Sequence, residues 1–332
     1  MASSQNFNVG GAPKGVLERA LTGNIFVEMN LAFMNEGDKD GYNCYKHDIA
    51  NVLRAATADP ASSITNTSKK ATFKRDLAVV ESIEDFLPSD YHHYWLKYQP
   101  SGEFQWEGLP SEIQASLETL FLGSSAEAAE DMLVNSDDAL LIGLIPQLLS
   151  PLLTPLNGVK ATPTQIVNNT AIAFRAHGGG TGDELAVTLT VDNVFEKLEL
   201  LVKNQTKSQR KRPNRKFMIS HGTADLISEA QRLKLNFKGV DVTDAGIMRY
   251  AGYEIIQNPS FPDDTILLCS MSGDMKTDAI QLGTSLSSDF NNLTVARINE
   301  FSRKWAMCLT FALDIFVVRP EEVCFYSTET VA

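Results

Sequence analysis

One short acidic run carries side chains of the kind that bind calcium. It reads EGDKDGY, and Gly41 stands where a calcium-binding loop has its obligatory glycine. The carboxylates of Glu36, Asp38 and Asp40 would then occupy the first ligand positions of such a loop. Its closing position falls on His47, where the loop needs a glutamate that binds through both oxygens. A polar turn that ends a helix is therefore the favoured interpretation.

Two adjacent histidines, His92 and His93, are the second candidate for a metal site. They lie in an aromatic stretch that favours β-structure. Neighbouring side chains on a strand point to opposite faces of the sheet, so the two imidazoles cannot easily share one ion. The sequence therefore predicts no metal site, and no residue pattern indicates a bound cofactor.

A glycine-rich run, RAHGGGTG, extends from Arg175 to Gly182 and offers two kinds of enzyme chemistry. The glycines after His177 resemble the oxyanion loop of lipase-like hydrolases, but that chemistry also needs a GxSxG elbow, which the sequence lacks. A phosphate-binding loop would continue with lysine, whereas the next residue here is Asp183. A flexible loop or a tight turn with positive φ is the favoured interpretation. A hydrolase that uses His177 is the weakest alternative for the function.

The triplet His221-Gly-Thr resembles the histidine motif of subtilisin-like proteases. The serine and aspartate motifs that accompany it in those enzymes are missing. An acyl-transfer site also needs a nucleophile held against a base, and nothing in the sequence marks one. We therefore predict no catalytic residue and no enzymatic activity.

The most basic part of the chain is KSQRKRPNRK, which places six basic residues between Lys207 and Lys216. Contact with a nucleic acid or with an acidic neighbour is one interpretation. A solvated loop tip between a helix and a strand is favoured, because the run contains no aromatic residues. The sequence leaves the role of this run open.

Composition excludes several classes of protein. The 332 residues carry a formal net charge of −12, which argues against a dedicated nucleic-acid-binding protein. With 43% hydrophobic and 21% charged residues the chain can bury a large core. The four cysteines contain no CxxC pair and indicate reduced, mostly packed thiols in a cytoplasmic product; they are Cys44, Cys269, Cys308 and Cys324. No apolar signal core is present near the first residue, so we expect no secretion.

Helical periodicity and turn residues predict the elements of the first half. Helices are expected at Asn24–Asn35 and His47–Thr57, with a flexible connection from Ala58 to Lys70. A hairpin is expected around residues 99–102 between two aromatic runs, and Ser111–Val134 should form one bent helix or two. Ala139–Leu156 is apolar, but three prolines favour a buried helix and turn over a membrane span.

The second half begins with Ile166–Phe174, a possible strand. A helix capped by Thr190 should follow, with a favourable pair between Glu199 and Lys203. Phe217–Ser220 is expected to form a strand. The next helix should begin near Thr223 and bury one apolar face, which comprises Leu226, Ile227, Ala230 and Leu233. Gly252–Tyr326 then reads as β-scaffold, with strands in GYEIIQ, TILLCS, Val295–Met307, Leu309–Val318 and Val323–Tyr326.

The order of these elements resembles the major capsid proteins of tailed phages, which share the Hong Kong 97 coat-protein fold. The resemblance rests on FMIS and DLISEA, on GYEIIQNPSFPDDTILLCS and LGTSL, and on the closing run FALDIFVVRPEEVCFY. It is most specific from Val191 onward. The first half fits by the order of its elements. An arm comes first, the aromatic hairpin follows where the family has its extended loop, and Ser111–Val134 stands where the family has its spine helix.

The resemblance implies an α+β fold with an arm, an extended β-hairpin loop, a peripheral domain with a long spine helix, and an axial domain with a central sheet flanked by helices. The expected divisions are 1–57 for the arm, 58–108 for the extended loop, 109–185 for the first part of the peripheral domain, 186–284 for the axial domain and 285–332 for the peripheral return strands. No catalytic motif is carried over from the family, and no crosslinking pair is identified.

The implied function is self-assembly into the pentamers and hexamers of an icosahedral shell that encloses a double-stranded DNA genome. The implied partners are further copies of the chain, a scaffold protein, a portal and weakly contacted DNA, without a membrane; decoration proteins are left open. The expected location is the virion capsid, after synthesis in the cytoplasm of a bacterial host. An encapsulin-like nanocompartment, which resembles the same fold but encloses protein cargo, is the first alternative.

Overall fold

The computed structural model describes residues 5–6, 24–37, 41–49, 68–87, 111–138, 141–149, 172–178, 184–233, 240–242, 248–285, 293–298 and 304–329. The strands in this part of the chain are β1 (Gln5–Asn6), β2 (Phe33–Gly37), β3 (Tyr42–Ile49), β4 (Ser68–Arg75), β5 (Ala78–Phe86), β6 (Phe174–His177), β7 (Glu184–Leu185), β8 (Arg215–Ile219), β9 (Val240–Val242), β10 (Met248–Tyr250), β11 (Tyr253–Gln257), β12 (Ile266–Ser270), β13 (Ile280–Ser285), β14 (Thr294–Arg297), β15 (Trp305–Val317) and β16 (Cys324–Ser327). The helices are α1 (Ile25–Glu28), α2 (Ser111–Asn135), α3 (Leu144–Leu149), α4 (Val194–Lys203), α5 (Lys207–Lys211) and α6 (His221–Leu233), with a 3-10 turn at Pro320–Glu322.

The described strands form a six-stranded sheet, an eight-stranded sheet and a two-stranded hairpin. The six-stranded sheet is built around β15. Residues 305–308 pair with both β5 and β14, and Leu313 pairs with both β5 and β13. Strand β5 therefore lies along one edge of β15, while β14 and β13 lie along the other. Strand β2 adds to β13 in parallel, and β1 adds to β14.

The eight-stranded sheet has the order β7-β6-β16-β12-β8-β11-β10-β9. Both of its faces are buried along β12 and β16. One face, which includes Phe217 and Tyr326, packs with side chains of α4 and α6. The other face, which includes Met218 and Phe325, joins a core that also contains side chains of α2, α3 and β15. Alternation along the strands supplies apolar side chains to both faces, as expected of a sheet covered on two sides.

Helix α2 is continuous from Ser111 to Asn135. Gly123 lies on the exposed side of the helix, where an added Cβ atom would meet nothing within 4 Å. The hydroxyl of Ser125 donates to the carbonyl of Phe121 at 2.8 Å and lies 2.8 Å from the hydroxyl of Ser82 on β5. The Gly-Ser-Ser run therefore does not break the helix, which resolves the choice between one helix and two.

The helix predicted at Asn24–Asn35 is wrong beyond its first turn. Asn24 caps α1 by accepting a hydrogen bond from the amide of Phe26 at 2.9 Å, but the helix ends at Glu28. Asn30 then adopts φ of +51°, a left-handed conformation that asparagine tolerates better than most residues. The following residues pair with β13 as strand β2. Pairing between distant strands overrides the local helical periodicity here.

Three further predictions in the first half fail or fall outside the described residues. Residues 47–49, predicted to start a helix, belong to β3, and residues 68–70 belong to its partner β4 instead of to a flexible connection. The hairpin predicted around residues 99–102 lies outside the described part of the chain, as does the rest of the predicted helix after Ile49. The described hairpin, β3–β4, occurs earlier in the sequence.

The second half follows the predictions more closely. The strand Phe217–Ser220 and the final strand are confirmed within one or two residues, and Lys203 pairs with Glu199 at 2.7 Å. Thr190 does not cap α4, which begins at Val194 after a turn in which the Asn193 side chain accepts from the Thr190 amide. Of the possible strand at Ile166–Phe174, only the last residue belongs to a described strand.

Three other predictions in this half are corrected. Val295–Met307 is not one strand, because β14 ends at Arg297 and the chain returns antiparallel as β15. The predicted break between a strand that ends at Met307 and a strand that begins at Leu309 is absent, since β15 continues through both residues. Leu233, predicted to face inward, is 66% exposed because it is the last residue of α6.

The apolar region around α3 is part of the core. Leu144 and Leu148 are fully buried and contact side chains of α2 and β15 within one cluster. The described helices include none whose length and apolar character together would suit a membrane crossing. The buried helix predicted within Ala139–Leu156 is confirmed for Leu144–Leu149; the residues after 149 lie outside the described part.

Candidate functional site: hairpin root, edge strand and basic cleft

A buried ion pair fixes the hairpin to the six-stranded sheet. The guanidinium of Arg75, at the end of β4, donates from Nε and Nη2 to the two carboxylate oxygens of Asp314 on β15, both at 2.8 Å. The hydroxyl of Tyr42, at the start of β3, donates to the same carboxylate at 2.7 Å. The side chains of Arg75 and Asp314 are 8% and 4% exposed. Bidentate pairing of this kind sets orientation as well as distance.

Close packing of backbone and ring completes this hairpin root, by which we mean Gly41, Tyr42, Arg75, Gly283 and Asp314. Gly41 adopts φ of +89°, and an added Cβ atom would collide with the carbonyl oxygen of Arg75. At Gly283 on β13, an added Cβ atom would collide with the ring of Tyr42. Both positions therefore require glycine, one for its conformation and one for a close approach.

Burial controls the protonation of the groups around the hairpin root. Burial first, and then the charge of Asp314, raises the pKa of the Tyr42 phenol and of the adjacent Cys44 thiol. Burial alone would lower the pKa of Arg75, but the hydrogen bonds and charge of Asp314 reverse this and raise it. Arg75 therefore stays charged while Tyr42 and Cys44 stay neutral.

The protein should lose stability in alkali because of these two neutral groups. An unfolded chain releases the Cys44 proton near the ordinary value of 9.0, whereas the folded state retains it. The folded state then binds more protons, so the free energy of unfolding falls as pH rises, by up to about 1.4 kcal/mol per pH unit for each group. We expect Cys44→Ala to make this slope shallower between about pH 9 and pH 11. Urea unfolding at several pH values measures the slope.

The partly exposed Cys308 provides the control. Burial also raises the pKa of its thiol, but the side chain is only partly buried, so Cys308→Ala should change the slope less than Cys44→Ala does. Equal slopes in the wild-type chain and Cys44→Ala would contradict the assignment. Comparison of slopes, instead of absolute stabilities, removes the effect of the lost sulfur atom.

Strand β5 presents a partly apolar face on the six-stranded sheet. Val79 and Ile83 are 60% and 58% exposed, and their cross-strand partners on β15 are Ala312 and Cys308. Within the described residues β5 pairs only with β15, so its other edge carries no strand partner there. Exposed β-branched residues on an edge strand are a typical site of contact with another chain.

The basic run is not a freely solvated loop tip. Its first part forms helix α5, capped by the hydroxyl of Thr206, and its last part begins β8. Arg212 donates to buried Glu322 at 2.8 Å, and Arg215 donates to Gln205 at 2.7 Å. Lys216 lies 3.2 Å from Glu254 on β11. The basic run does lie between a helix and a strand, as predicted. Several of its side chains, however, are held in place by contacts with the rest of the fold.

The structure was compared with known proteins at the level of sequence and of fold. No protein-family model and no curated protein sequence matches the chain. Among solved structures, the procapsid of satellite phage P4 with its size determination (Sid) protein is similar over 99% of this chain and 95% of that chain, at 10% identity and a TM-score of 0.54. The capsid of a native GTA particle is similar over 99% and 94%, at 13% identity and a TM-score of 0.50.

The chain has the Hong Kong 97-type coat-protein fold. This similarity confirms the predicted fold class, in which helices and β-sheets are mixed as in the Hong Kong 97-type fold. The divisions 1–57, 58–108, 109–185, 186–284 and 285–332 stay predictions. Strand β3 lies inside the segment predicted as the arm, and β4 lies inside the segment predicted as the extended loop.

The histidine of the rejected protease motif, His221, and the serine before it, Ser220, make separate hydrogen bonds. Ser220 is buried, and its hydroxyl donates to Asp263 at 2.9 Å and accepts from the amide of Thr223 at 3.0 Å, which caps α6. The His221 ring lies 2.9 Å from Gln257. The serine and the histidine therefore contact different partners.

Most of the other candidate groups of the sequence lie outside the described residues. Glu36 lies in β2, which leads into β3, so the acidic run joins two strands instead of ending a helix. Residues 38–40 and 92–93, and the glycines 179–180 and 182, lie outside the described residues. For His177 the structure describes only the backbone, in β6. No group of three His, Cys, Asp or Glu side chains that could hold a metal ion occurs in the described ranges.

Proposed function

We propose that this chain is the major capsid protein of a tailed double-stranded DNA phage. The supporting observation is similarity of fold over nearly the whole chain to subunits of a phage procapsid and of a GTA particle capsid. In this proposal the protein assembles into pentamers and hexamers of a closed icosahedral shell, and does not act as an enzyme. Its location is the virion capsid, after synthesis in the cytoplasm of a bacterial host.

Surface features of the chain agree with this role. The hairpin β3–β4 is a two-stranded unit, which is marginally stable alone and needs contacts to hold it. The hairpin root attaches the base of this hairpin to the six-stranded sheet. The apolar face of β5 provides area for contact with another copy. Burial of such surfaces between identical subunits is how closed symmetric assemblies form.

The proposed partners follow from the same role. They are further copies of the chain, a scaffold protein during assembly, a portal and the packaged DNA. The net charge of −12 fits an inner wall that encloses DNA without binding it tightly, since strong contacts with phosphates need many basic residues. Domain divisions as predicted from the sequence, with an axial domain from 186 to 284, form part of the proposal.

Assembly of the purified protein is the direct test. We expect uniform shells by negative-stain microscopy and analytical sedimentation, and nuclease-protected DNA in particles isolated from infected cells. A monomer under all assembly conditions would overturn the proposal. An enclosed protein in place of DNA would instead identify an encapsulin-like compartment, and hydrolysis lost on His177→Ala would identify an enzyme.

The face of β5 gives a residue-level prediction. Ile83→Lys should leave folding intact, because the side chain is 58% exposed, but should lower assembly because a charge replaces an apolar contact. We expect at least a roughly tenfold higher protein concentration for half-assembly, which is about 1.4 kcal/mol per contact. Leu233→Lys is the matched control, since Leu233 is also exposed and apolar but lies at the end of α6. Equal effects of both changes would argue against a contact at β5.

A further inference from the structure

A cleft of about 350 Å³ opens at the end of the eight-stranded sheet where β8 and β11 begin. Residues 212–214, the first residues of both strands and the turn before β11 line it. Four cationic side chains and one carboxylate lie in this lining; they are Arg212, Arg215, Lys216, Arg249 and Glu254. The cleft therefore carries an excess of positive charge in a chain with 41 acidic and 29 basic residues.

Three of the four cations are held in place by the fold. Arg212 donates from Nε to the carboxylate of Glu322, whose side chain is 2% exposed. The guanidinium of Arg215 donates to Gln205 and lies 4.8 Å above the ring of Tyr253. Such contacts reduce the entropy that these long side chains would lose on binding a ligand.

Arg249 is the most exposed of the four cations. It is exposed on β10, and the part of the chain that the structure describes shows no ion pair to its side chain. Its position is opposite Glu254 in the pairing of β10 with β11, but the carboxylate of Glu254 lies 3.2 Å from Lys216. The cleft thus has three cations fixed by neighbouring groups and a fourth, Arg249, that is exposed.

We infer that this cleft binds a carboxylate side chain of a second copy of the chain. The inference rests on the proposed shell function, which brings copies into contact. Acidic residues outnumber basic ones in each copy, so a neighbouring surface is a ready source of carboxylates. Charge complementarity of this kind sets which surfaces meet and in which alignment.

Nucleic-acid phosphates fit the cleft less well. A protein that follows a nucleic-acid backbone uses an extended basic groove of about 4–16 nucleotides with aromatic rings free for stacking. Here the volume is at the low end of the range of about 300–1,000 Å³ typical of small-ligand sites. The ring of Tyr253 is already covered by Arg215.

Zero-length crosslinking of assembled particles tests the inference. A carbodiimide joins the amine of Lys216 to any carboxylate in direct contact, and the link between Lys216 and Glu254 of one chain, 3.2 Å apart, is the internal positive control. Assembly from a mixture of isotopically light and heavy chains distinguishes links between copies from links within one copy. We expect a link from Lys216 to an Asp or Glu of another copy. Its absence, when the internal link forms, would count against the inference.

Charge reversal gives an independent readout. Arg249→Glu should raise the concentration needed for half-assembly about tenfold, and Arg249→Gln less. Lys207→Glu is the control, because it makes the same charge change at an exposed residue of the basic run outside the cleft. Urea unfolding checks that each variant is folded, and the crosslinking result does not depend on any variant.

The outcomes separate this inference from the proposed function. If Arg249→Glu assembles like the wild-type chain, the inference is wrong and the shell function stands. If Arg249→Glu assembles normally but retains less DNA than Lys207→Glu, a nucleic acid is the occupant of the cleft and the inference is again wrong. If the wild-type chain forms no assembly under any condition, both the shell function and the inference fall.

Discussion

Replacement of Asp314 by alanine is expected to lower the free energy of unfolding by about 3–5 kcal/mol, the cost of leaving one member of a buried ion pair without its partner. The guanidinium of Arg75, with a side chain 8% exposed, would lose both of its hydrogen bonds to the carboxylate, and the hydroxyl of Tyr42 would lose its acceptor. Urea unfolding of the unassembled subunit measures the change. Because the hairpin is attached through these groups, the same variant should also assemble poorly.

An exposed ion pair provides the control for this experiment. Glu199→Ala removes the partner of Lys203 on the surface of α4, where side chains that are 56% and 70% exposed make the pair worth only about 0.3–0.5 kcal/mol. A loss of similar size in both variants would show that the hairpin root does not stabilise the fold. A double-mutant cycle between Tyr42→Phe and Asp314→Asn should show coupling, since the two side chains share one hydrogen bond.

Sequence patterns predicted elements whose shape is set by neighbours along the chain. The strands in GYEIIQ and TILLCS are confirmed, because short apolar runs between Asn, Pro and Asp residues leave few other options. The body of α4 was also predicted, since its apolar residues recur with helical spacing and Glu199 meets Lys203 one turn later. Only its first residues were misplaced, where Asn193 and Thr190 form a turn before the helix.

Predictions failed where distant parts of the chain decide the structure. The segment Phe33–Gly37 is a strand because β13, about 250 residues later, pairs with it. The hairpin root joins Tyr42 and Arg75 to Asp314, which follows them by 272 and 239 residues. The spacing of apolar residues along the sequence does not indicate such contacts between distant residues. The run from Val295 to Val318 illustrates the same difficulty of prediction. Its β-propensity was clear from the sequence, but its division into the antiparallel strands β14 and β15 was not.

The two cores on opposite faces of the eight-stranded sheet are not independent. Adjacent residues of β16 face opposite sides of the eight-stranded sheet, so Phe325 packs with α2 and β15 while Tyr326 packs with α4. The hydroxyl of Tyr326 also contacts the backbone of Val187 through both the amide and the carbonyl. Strands β8 and β12 contribute to both cores in the same way. Loss of packing on one face of the sheet should therefore weaken the other.

Phe325→Ala should thus lower the free energy of unfolding by about 3–5 kcal/mol, since it removes a fully buried ring from a central strand. Leu233→Ala is the matched control: its side chain is 66% exposed, so we expect a change within about 0.5 kcal/mol. Because β16 connects both cores, near-ultraviolet circular dichroism and urea-dependent labelling of Cys269 in one core and Cys324 in the other should report one shared transition, shifted together by Phe325→Ala. Two separate transitions, with only one shifted, would instead show that the faces of the sheet unfold as independent units.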